Sequence, residues 1–296
     1  MSSSDTSFFT LPNKSNLHVK VVDGGHSAWL VATHGIAEHL GRHKYLIDLL
    51  KEDFNLLLYD LRGHGRSSGR RVYIDRFSHY YEDLEGIISI LKERYKMERF
   101  ALFGHSMGAT ITCGYIQNQT DPSLKPEKIY LSSPGVAVGG KMKIPTRHIP
   151  PAALKTLAAF PYSVELGGLI DLDKLSHDKK VAKDYRNDPL NSQKIHIKLI
   201  LELILAMKTV FSRPLRAKIN CYCAYGTQDE IIDPKAVRDY FHFREHKSVV
   251  KIFKGAYHEI HNETEEFASG YFQFLKDSLT GRLDQSDGKA SPKRVI

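Results

Sequence analysis

The sequence predicts an α/β fold in which a mostly parallel central sheet is flanked by helices and interrupted by an inserted helical cap. Short aliphatic and β-branched runs alternate with stretches of helical periodicity. This alternation stops near residue 137 and resumes near residue 218. The 296 residues are enough for one large α/β domain with an insertion of this kind.

The candidate strands are short and rich in aliphatic residues, as parallel strands buried on both faces are. They are 17–22, 28–33, 54–60, 99–104, 128–133, 219–226 and 249–253. The candidate helices are 42–52, 76–96, 107–118, 235–245 and 263–278. Because the two kinds of run alternate, we expect successive strands to be parallel and to be joined by helices.

The segment after the fifth candidate strand is rich in proline and has helical character, with apolar stretches at 149–160 and 195–211. We interpret it as a cap or lid inserted between two strands of the core. The end of the chain is polar and contains Gly, Ser and Pro, which is typical of disorder. The predicted units are the core residues 1–136 and 218–279, the cap 137–217 and a disordered tail 280–296.

The net charge of +8 is concentrated in the cap, where residues 137–213 carry 13 Lys and Arg against 7 Asp and Glu. A charge confined to one insertion, without interleaved aromatic residues, argues against nucleic-acid binding and suits an anionic membrane or substrate. The three cysteines have no disulfide or zinc spacing. With no signal-peptide pattern and no long apolar run, we expect a cytoplasmic protein that contacts membranes peripherally through the cap.

A serine stands between two glycines in the pattern Gly104-x-Ser106-x-Gly108, with a strand-like run before it and a helix-like run after it. This context is typical of a nucleophile elbow, a sharp turn that exposes a serine hydroxyl at the carboxyl edge of a sheet. Glycine is expected on both flanks because a bulky neighbour would clash there. The sequence therefore predicts that Ser106 is a nucleophile at the positive end of a helix.

A serine hydroxyl needs a base to remove its proton, so an acid and then a histidine are expected after it. Two aspartates follow the strand 219–226. Asp233 precedes Pro234 and an apolar-periodic run, the pattern of a helix N-cap followed by proline. Asp229, which is nearer to the strand end, is therefore predicted to be the acid.

Two histidines, His258 and His261, follow the last candidate strand. Asn262 and Glu265 resemble a capping box, which would place His261 directly before the last helix. His258 lies in the loop after the strand and is free to reach back over the sheet, so we predict that it is the base.

The oxyanion that forms during attack on a carbonyl needs preorganised N–H donors. We predict that these are the backbone N–H groups of Met107, next to the serine, and of Ile36, in the loop after the strand 28–33. The histidines of that loop, His34 and His39, lack the spacing of zinc motifs that include a glutamate, so no metal or other cofactor is expected. We predict that His34 braces the loop.

Six stretches of the chain carry motifs of one protein family. They are HGIAEHLGRH (34–43), YDLRGHGRSSG (59–69), GHSMG (104–108), IDLDKLSHDKKVAKDYRNDPL (170–190), GTQDEIIDP (226–234) and YHEIHNE (257–263). Through them the chain resembles the monoacylglycerol lipase and lysophospholipase branch of the α/β-hydrolase superfamily, which is related to the serine aminopeptidase-like hydrolases. The resemblance covers about residues 10–278 and includes the cap.

The resemblance implies a serine hydrolase that cleaves carboxylic esters of lipids through an acyl-enzyme, with Ser106 as nucleophile, Asp229 as acid and His258 as base. It also implies that Ile36 and Met107 are the oxyanion donors. Monoacylglycerol is the first expected substrate, and a lysophospholipid or another carboxylic ester is the second. An aminopeptidase-like amidase would need an acidic site for a free amine, whereas the cap is basic. A non-catalytic binding module would not need an intact set of three residues.

Two local features depend on the same resemblance. The family usually has glycine at the position of Ala37, so we expect the added methyl group to narrow the acyl-binding mouth or to stiffen the loop. Asp60, Arg62 and His64 match a family motif that we interpret as structural, an ion-paired bend after a strand.

The cap is expected to set substrate preference. In its second apolar stretch Lys194, Lys198 and Glu202 lie four apart on one face, and nearly all other residues are apolar. Such a helix packs on its own domain or, as the resemblance implies, lines an acyl tunnel or touches lipid. The basic residues considered for contact with an anionic membrane are Lys141, Lys143 and Arg147.

Overall fold

The computed structural model describes residues 3–160, 163–215, 219–245 and 247–283. The strands are β1 Ser3–Thr10, β2 Asn16–Asp23, β3 Ala28–Thr33, β4 Asn55–Tyr59, β5 Arg99–His105, β6 Lys128–Ser132, β7 Glu165–Gly167, β8 Lys194–His196, β9 Asn220–Gly226 and β10 Val249–Phe253. The helices are α1 Tyr45–Leu50, α2 Ser78–Arg94, α3 Met107–Asn118, α4 Lys143–Arg147, α5 Pro151–Ala158, α6 Lys179–Asn187, α7 Ile197–Val210, α8 Pro234–Asp239 and α9 Glu265–Thr280.

Eight strands form one sheet in the order β1-β2-β4-β3-β5-β6-β9-β10. Six neighbouring strands are mutually parallel, namely β4, β3, β5, β6, β9 and β10. The strands β1 and β2 are antiparallel to their neighbours. Every residue of β4 is buried, which explains its uninterrupted aliphatic sequence. The predicted mostly parallel sheet is therefore confirmed.

Helices cover both faces of this sheet and divide the core into two layers. On one face Ile87 and Leu91 of α2 and Ile111 of α3 belong to the larger apolar cluster. On the other face Leu46 of α1 and Leu275 of α9 belong to the second cluster. The layers hold the carboxyl ends of the parallel strands at one edge, where loops that bear functional residues collect in such folds.

The seven predicted strands are all present, and their ends differ from the prediction by at most one residue. The edge strand β1 was not predicted, because its sequence SSDTSFFT has no aliphatic run. Thr280, which was assigned to the tail, is the last residue of α9, and residues 284–296 of the predicted tail lie outside the described residues.

The chain between β6 and β9, which we call the cap segment, contains α4 to α7 and the short antiparallel pair β7 and β8. This pair is a correction to the predicted all-helical cap, since Lys194–His196 is a strand and the helix begins at Ile197. The predicted limits of the cap, 137 and 217, stay a prediction, and residue 217 lies outside the described residues.

Two charged residues of α7, Lys198 and Glu202, do not face solvent. Lys198 and Glu202 are each only 9% exposed, because this side of α7 turns towards α5 and the start of α2. Glu202 accepts a hydrogen bond from the backbone N–H of Phe77 at 2.9 Å, and its other oxygen lies 3.4 Å from the Lys198 ammonium. Lys198 also donates to the carbonyl oxygen of Ala158 in α5. This buried pair joins the cap segment to the core.

We expect Glu202→Ala to lower the free energy of unfolding by about 3 kcal/mol, because it leaves the buried ammonium of Lys198 without its counter-charge and the Phe77 N–H without its acceptor. Urea denaturation measures the loss. Asp173→Ala is the matched control, since Asp173 forms an ion pair with Arg186 in which both side chains are about half exposed and should lose at most about 0.5 kcal/mol. Equal losses in the two variants would contradict the proposed link.

Candidate active site

Ser106 occupies a strained corner between β5 and α3. Its backbone φ is 53° and its ψ is −118°, a conformation that residues other than glycine rarely adopt. A Cβ atom at Gly104 would lie 2.6 Å from the carbonyl oxygen of Gly108, and one at Gly108 would lie 2.2 Å from that of Thr33 in β3. Both glycines are therefore required by close backbone contacts, as the pattern of the sequence suggested.

The structure brings Ser106, His258 and Asp229 together from the loops that follow β5, β10 and β9. His258 Nε2 lies 3.0 Å from Ser106 Oγ, and His258 Nδ1 lies 2.6 Å from Asp229 Oδ2. The second Asp229 oxygen accepts the backbone N–H groups of Ile231 at 2.8 Å and Ile232 at 3.0 Å. Each member of the set is at most 6% exposed. In this arrangement the serine hydroxyl can give its proton to the histidine, whose ring is oriented by the aspartate.

Burial and the acid act on His258 in opposite directions. Burial favours the neutral ring and lowers the pKa of His258, but the charge of Asp229 and its hydrogen bond outweigh this, so the net pKa is raised. A base whose conjugate acid is stabilised in this way is suited to take a proton from Ser106.

The two rejected candidates have other roles. Asp233 is the N-cap of α8, where its Oδ1 accepts the N–H of Lys235 at 3.1 Å and pairs with Lys143 Nζ at 3.1 Å. His261 lies in a short 3₁₀ turn and stacks on Tyr45 at 4.8 Å between ring centroids. Burial, with the charges of neighbouring histidines, lowers the pKa of His261 well below its usual range, so this ring is neutral.

The expected capping box before α9 is wrong. The helix begins at Glu265 with Thr264 as its N-cap, and Asn262 instead donates from Nδ2 to Glu259 Oε2 at 2.7 Å. The turn Ile260–Asn262 therefore belongs to the loop that carries His258.

The loop after β3 is held by His34, as expected. His34 Nδ1 lies 2.7 Å from the carbonyl oxygen of Gly35, and His34 Nε2 accepts the backbone N–H of Leu61 at 2.9 Å, so the ring proton is on Nδ1. Burial lowers the pKa of His34 to about 4, which keeps the ring neutral. Ile36 lines the cavity at Ser106, and Met107 is the first residue of α3, so its N–H has no acceptor within the helix.

Ala37 adopts a left-handed conformation with a φ of 62° and is fully enclosed. Glycine alone has this conformation without a steric cost, so the methyl group of Ala37 strains the loop. The carbonyl oxygen of Ala37 accepts hydrogen bonds from Tyr185 Oη at 2.7 Å and from the N–H of Ser192 at 2.9 Å. Two residues of the cap segment therefore hold the loop after β3 in place.

Sequence reasoning missed a buried charge network behind this loop. Glu38 Oε1 accepts the N–H of Gly35 at 2.5 Å and pairs with His43 at 3.0 Å. Arg42 lies between Glu38, at 3.1 Å, and Glu259, the neighbour of His258. Burial acts to raise the pKa of Glu38, but His43 and Arg42 outweigh it and hold that pKa well below its usual range. The four-residue spacing of Glu38 and Arg42 was the available signal.

The bend after β4 is ion-paired, and the partners of its motif residues lie outside the motif. Asp60 accepts the N–H groups of Leu40 and Arg66, each at 2.8 Å, and pairs with His18 at 2.7 Å. Arg62 pairs with Asp83 of α2 at 2.6 Å. The third motif residue, His64, lies buried behind the bend, where Nδ1 is 3.0 Å from the carbonyl oxygen of Arg62.

The cavity at Ser106 is small, about 20 Å³. Its lining includes three residues of the cap segment, Ile170, Leu175 and Tyr185. Ile231, in the loop after β9, also lines it. Within the described ranges no group of His, Cys, Asp and Glu side chains could hold a metal ion. None of the helices in this part of the chain is long and apolar enough to cross a membrane.

Comparisons with known proteins agree with this geometry. Residues 24–265 match the family described as serine aminopeptidase, S33. A monoglyceride lipase homolog of Monkeypox virus is 31% identical over 86% of this chain and 90% of its own, and phospholipase YtpA of Bacillus subtilis is 26% identical over 80% and 90%.

Solved structures have the same fold. A monoacylglycerol lipase from Paleococcus ferrophilus, 27% identical, superposes with a TM-score of 0.74 over 94% of this chain and 99% of its own. A monoglyceride lipase variant from Saccharomyces cerevisiae, 18% identical, superposes with a TM-score of 0.77 over 95% of each chain. The matched family, together with this fold, confirms the resemblance inferred from the motifs. The chain therefore belongs to the serine aminopeptidase S33 family of α/β-hydrolases, in the branch that includes the monoglyceride lipases.

Proposed function

We propose that this protein is a serine hydrolase that cleaves carboxylic esters of lipids through an acyl-enzyme, with monoacylglycerol as its first substrate. The observation that carries the proposal is the continuous hydrogen-bonded set of Ser106, His258 and Asp229 at a strained corner. Similarity to a phospholipase makes a lysophospholipid the second candidate substrate.

In the proposed reaction His258 Nε2 takes the proton of Ser106 as the serine oxygen attacks the ester carbonyl. Asp229 holds the ring with Nδ1 protonated and stabilises its positive charge. The N–H groups of Ile36 and Met107 bind the oxyanion. His258 then protonates the leaving alcohol, and in the second half it deprotonates the water that hydrolyses the acyl-enzyme.

The surroundings of Ser106 favour an ester over a peptide with a free amine. Glu38 and Glu259 are the carboxylates that line the cavity at the serine, and both are bound to Arg42. Neither is available to an ammonium group, whereas Ile170, Leu175 and Ile231 offer apolar contacts. This supports an acyl substrate and argues against an aminopeptidase-like reaction.

Replacing the nucleophile tests the proposal most directly. We expect Ser106→Ala to reduce kcat for a monoacylglycerol on the order of 10⁶-fold, because the remaining residues cannot form an acyl-enzyme. Covalent labelling by a fluorophosphonate should disappear as well. A variant that retained a tenth of the activity would refute the proposed nucleophile, and a wild-type protein with neither turnover nor labelling would point to a binding module.

The acid is tested by a pair of matched variants. Asp229→Asn should reduce kcat on the order of 10⁴-fold because it favours the wrong tautomer of His258, whereas Asp233→Asn should stay near wild type because asparagine caps helices equally well. Only the neutral ring of His258 can accept a proton from Ser106. Because Asp229 raises the pKa of His258, activity should rise as the pH increases through this raised pKa. In Asp229→Asn the midpoint of the kcat/KM profile should move to lower pH. An unchanged midpoint would contradict the proposed pairing.

The base is tested in the same way, with activity measured per folded enzyme. His258→Ala should lose activity on the order of that lost without the serine, and His261→Ala should remain active because its ring does not reach Ser106 or Asp229. The reverse result would identify His261 as the base.

We also propose that the cap, for which the sequence predicts the limits 137 and 217, docks on an anionic lipid surface. Leu157, Phe160, Val164 and Leu166 are 39–67% exposed and close together in sequence. Exposed apolar residues beside cations are typical of membrane-surface contacts. The structure corrects one part of the sequence-based hypothesis, since Lys143 is paired with Asp233 and leaves Lys141 and Arg147 as the cations for this contact.

Binding to vesicles that contain anionic lipid should weaken strongly in Leu157→Ser/Phe160→Ser, because the apolar anchors are lost. Phe243→Ser is the matched control, since Phe243 is 72% exposed but lies after α8 in the core. Lys141→Gln/Arg147→Gln should weaken binding by about 2 kcal/mol at low salt and less at high salt. Vesicle flotation measures all four proteins, and equal binding would exclude the cap segment as the docking surface.

A further inference from the structure

A second cavity, of about 320 Å³, lies between the cap segment and the core. We call it the basic cleft. One side is formed by α4 and α7, and the other by α8 and residues 136–138 after β6. It shares no lining residue with the cavity at Ser106, so it is a separate space.

The interior of the basic cleft is apolar. Val136 and Val138, shortly after β6, line the same side as α8, and Ile204 and Met207 of α7 line the opposite side. Ala236 of α8 adds a small side chain. An apolar cleft of this volume is at the lower end of the range for small-molecule sites and suits a single hydrocarbon chain.

The rim of the cleft has an excess of positive charge. Its two carboxylates are already paired, Asp233 with Lys143 at 3.1 Å and Asp239 with Lys235 at 2.5 Å. Arg147 and Lys208 also line the cleft, and within the described part of the chain neither forms an ion pair with a carboxylate. Lys208 Nζ donates to the backbone carbonyl oxygen of Arg147 at 3.0 Å, so the end of α4 lies beside the Lys208 ammonium.

We propose that the basic cleft binds a fatty-acid anion of medium chain length. The chain lies against Ile204, Met207 and Val138, and the carboxylate is bound by Arg147 and Lys208. The planar guanidinium matches the two oxygens of a carboxylate, and a charge-assisted hydrogen bond is stronger than a neutral one. This site does not depend on the proposed hydrolase function, because a fatty acid binds without turnover.

The test compares two ligands that differ only in the head group. Isothermal titration calorimetry of the full-length protein with dodecanoate and with dodecanol, each below its aggregation limit, gives both affinities. We expect dodecanoate to bind wild type more tightly than dodecanol does. In Arg147→Gln/Lys208→Gln the dissociation constant for dodecanoate should rise about tenfold, the equivalent of about 1.4 kcal/mol, and that for dodecanol should change less than about twofold.

Two further variants make the result specific to the cleft. Lys141→Gln removes an exposed cation of the same segment that does not line the cleft, and it should leave both affinities unchanged. Ala236→Phe fills the cleft from α8 and should weaken both ligands. Thermal unfolding measured on each variant excludes loss of the fold as the cause.

Three results would overturn the proposal. They are no measurable binding of dodecanoate by wild type, equal affinity of wild type for the two ligands, and unchanged dodecanoate affinity in Arg147→Gln/Lys208→Gln. The last result would place the ligand elsewhere, including the cavity at Ser106. Since no turnover is measured, each of these outcomes leaves the proposed catalytic role of Ser106 unaffected.

Discussion

The backbone at Ser106 has no room for a side-chain carbon on either flank, and the arrangement of the core depends on this close packing. Gly108 lies against the carbonyl oxygen of Thr33, so α3 can begin directly beside β3 only because that residue has no Cβ. The same contact places Ser106 next to the loop that contains Ile36. A positive φ at the serine is sustained because β5 is hydrogen-bonded to β3 on one side and β6 on the other.

A second constraint acts through buried charge. Arg42 lies between Glu38, which holds the turn at Gly35, and Glu259, which follows His258. Two loops that come from opposite ends of the sequence are therefore fixed by one guanidinium. Buried ion pairs contribute little net stability when complete, but removal of one partner is costly because an uncompensated charge remains buried. The network thus acts more on the relative position of the loops than on the total stability.

The elements that sequence reasoning predicted are those set by local patterns. Strands such as β4 are aliphatic because both faces are buried, and Gly104 and Gly108 are glycines because neighbouring backbone lies too close for a Cβ. What it missed depends on partners far away in sequence. β1 forms through pairing with β2, and Lys198 and Glu202 of α7 are buried because Ala158 and Phe77 provide partners.

The predicted start of the last helix was also wrong because a contact that local sequence does not reveal determines it. Asn262 and Glu265 have the spacing of a capping box, but the side chain of Asn262 is engaged by Glu259 instead. A tertiary contact here outweighs a local preference of about 1 kcal/mol. The choice of His258 over His261 also used this capping box, and what favours His258 in the structure is instead the 3.0 Å distance from its Nε2 to Ser106 Oγ.

The cavity at Ser106, about 20 Å³, has room for about one water molecule and not for an acyl chain. An ester that reaches the serine must therefore meet a different arrangement of Ile170, Leu175 and Tyr185 from the one described. The affinity measured for any substrate is then the intrinsic affinity of that open arrangement multiplied by its population. A substitution in the cap segment that never touches the substrate therefore changes the apparent KM in inverse proportion to its effect on that population.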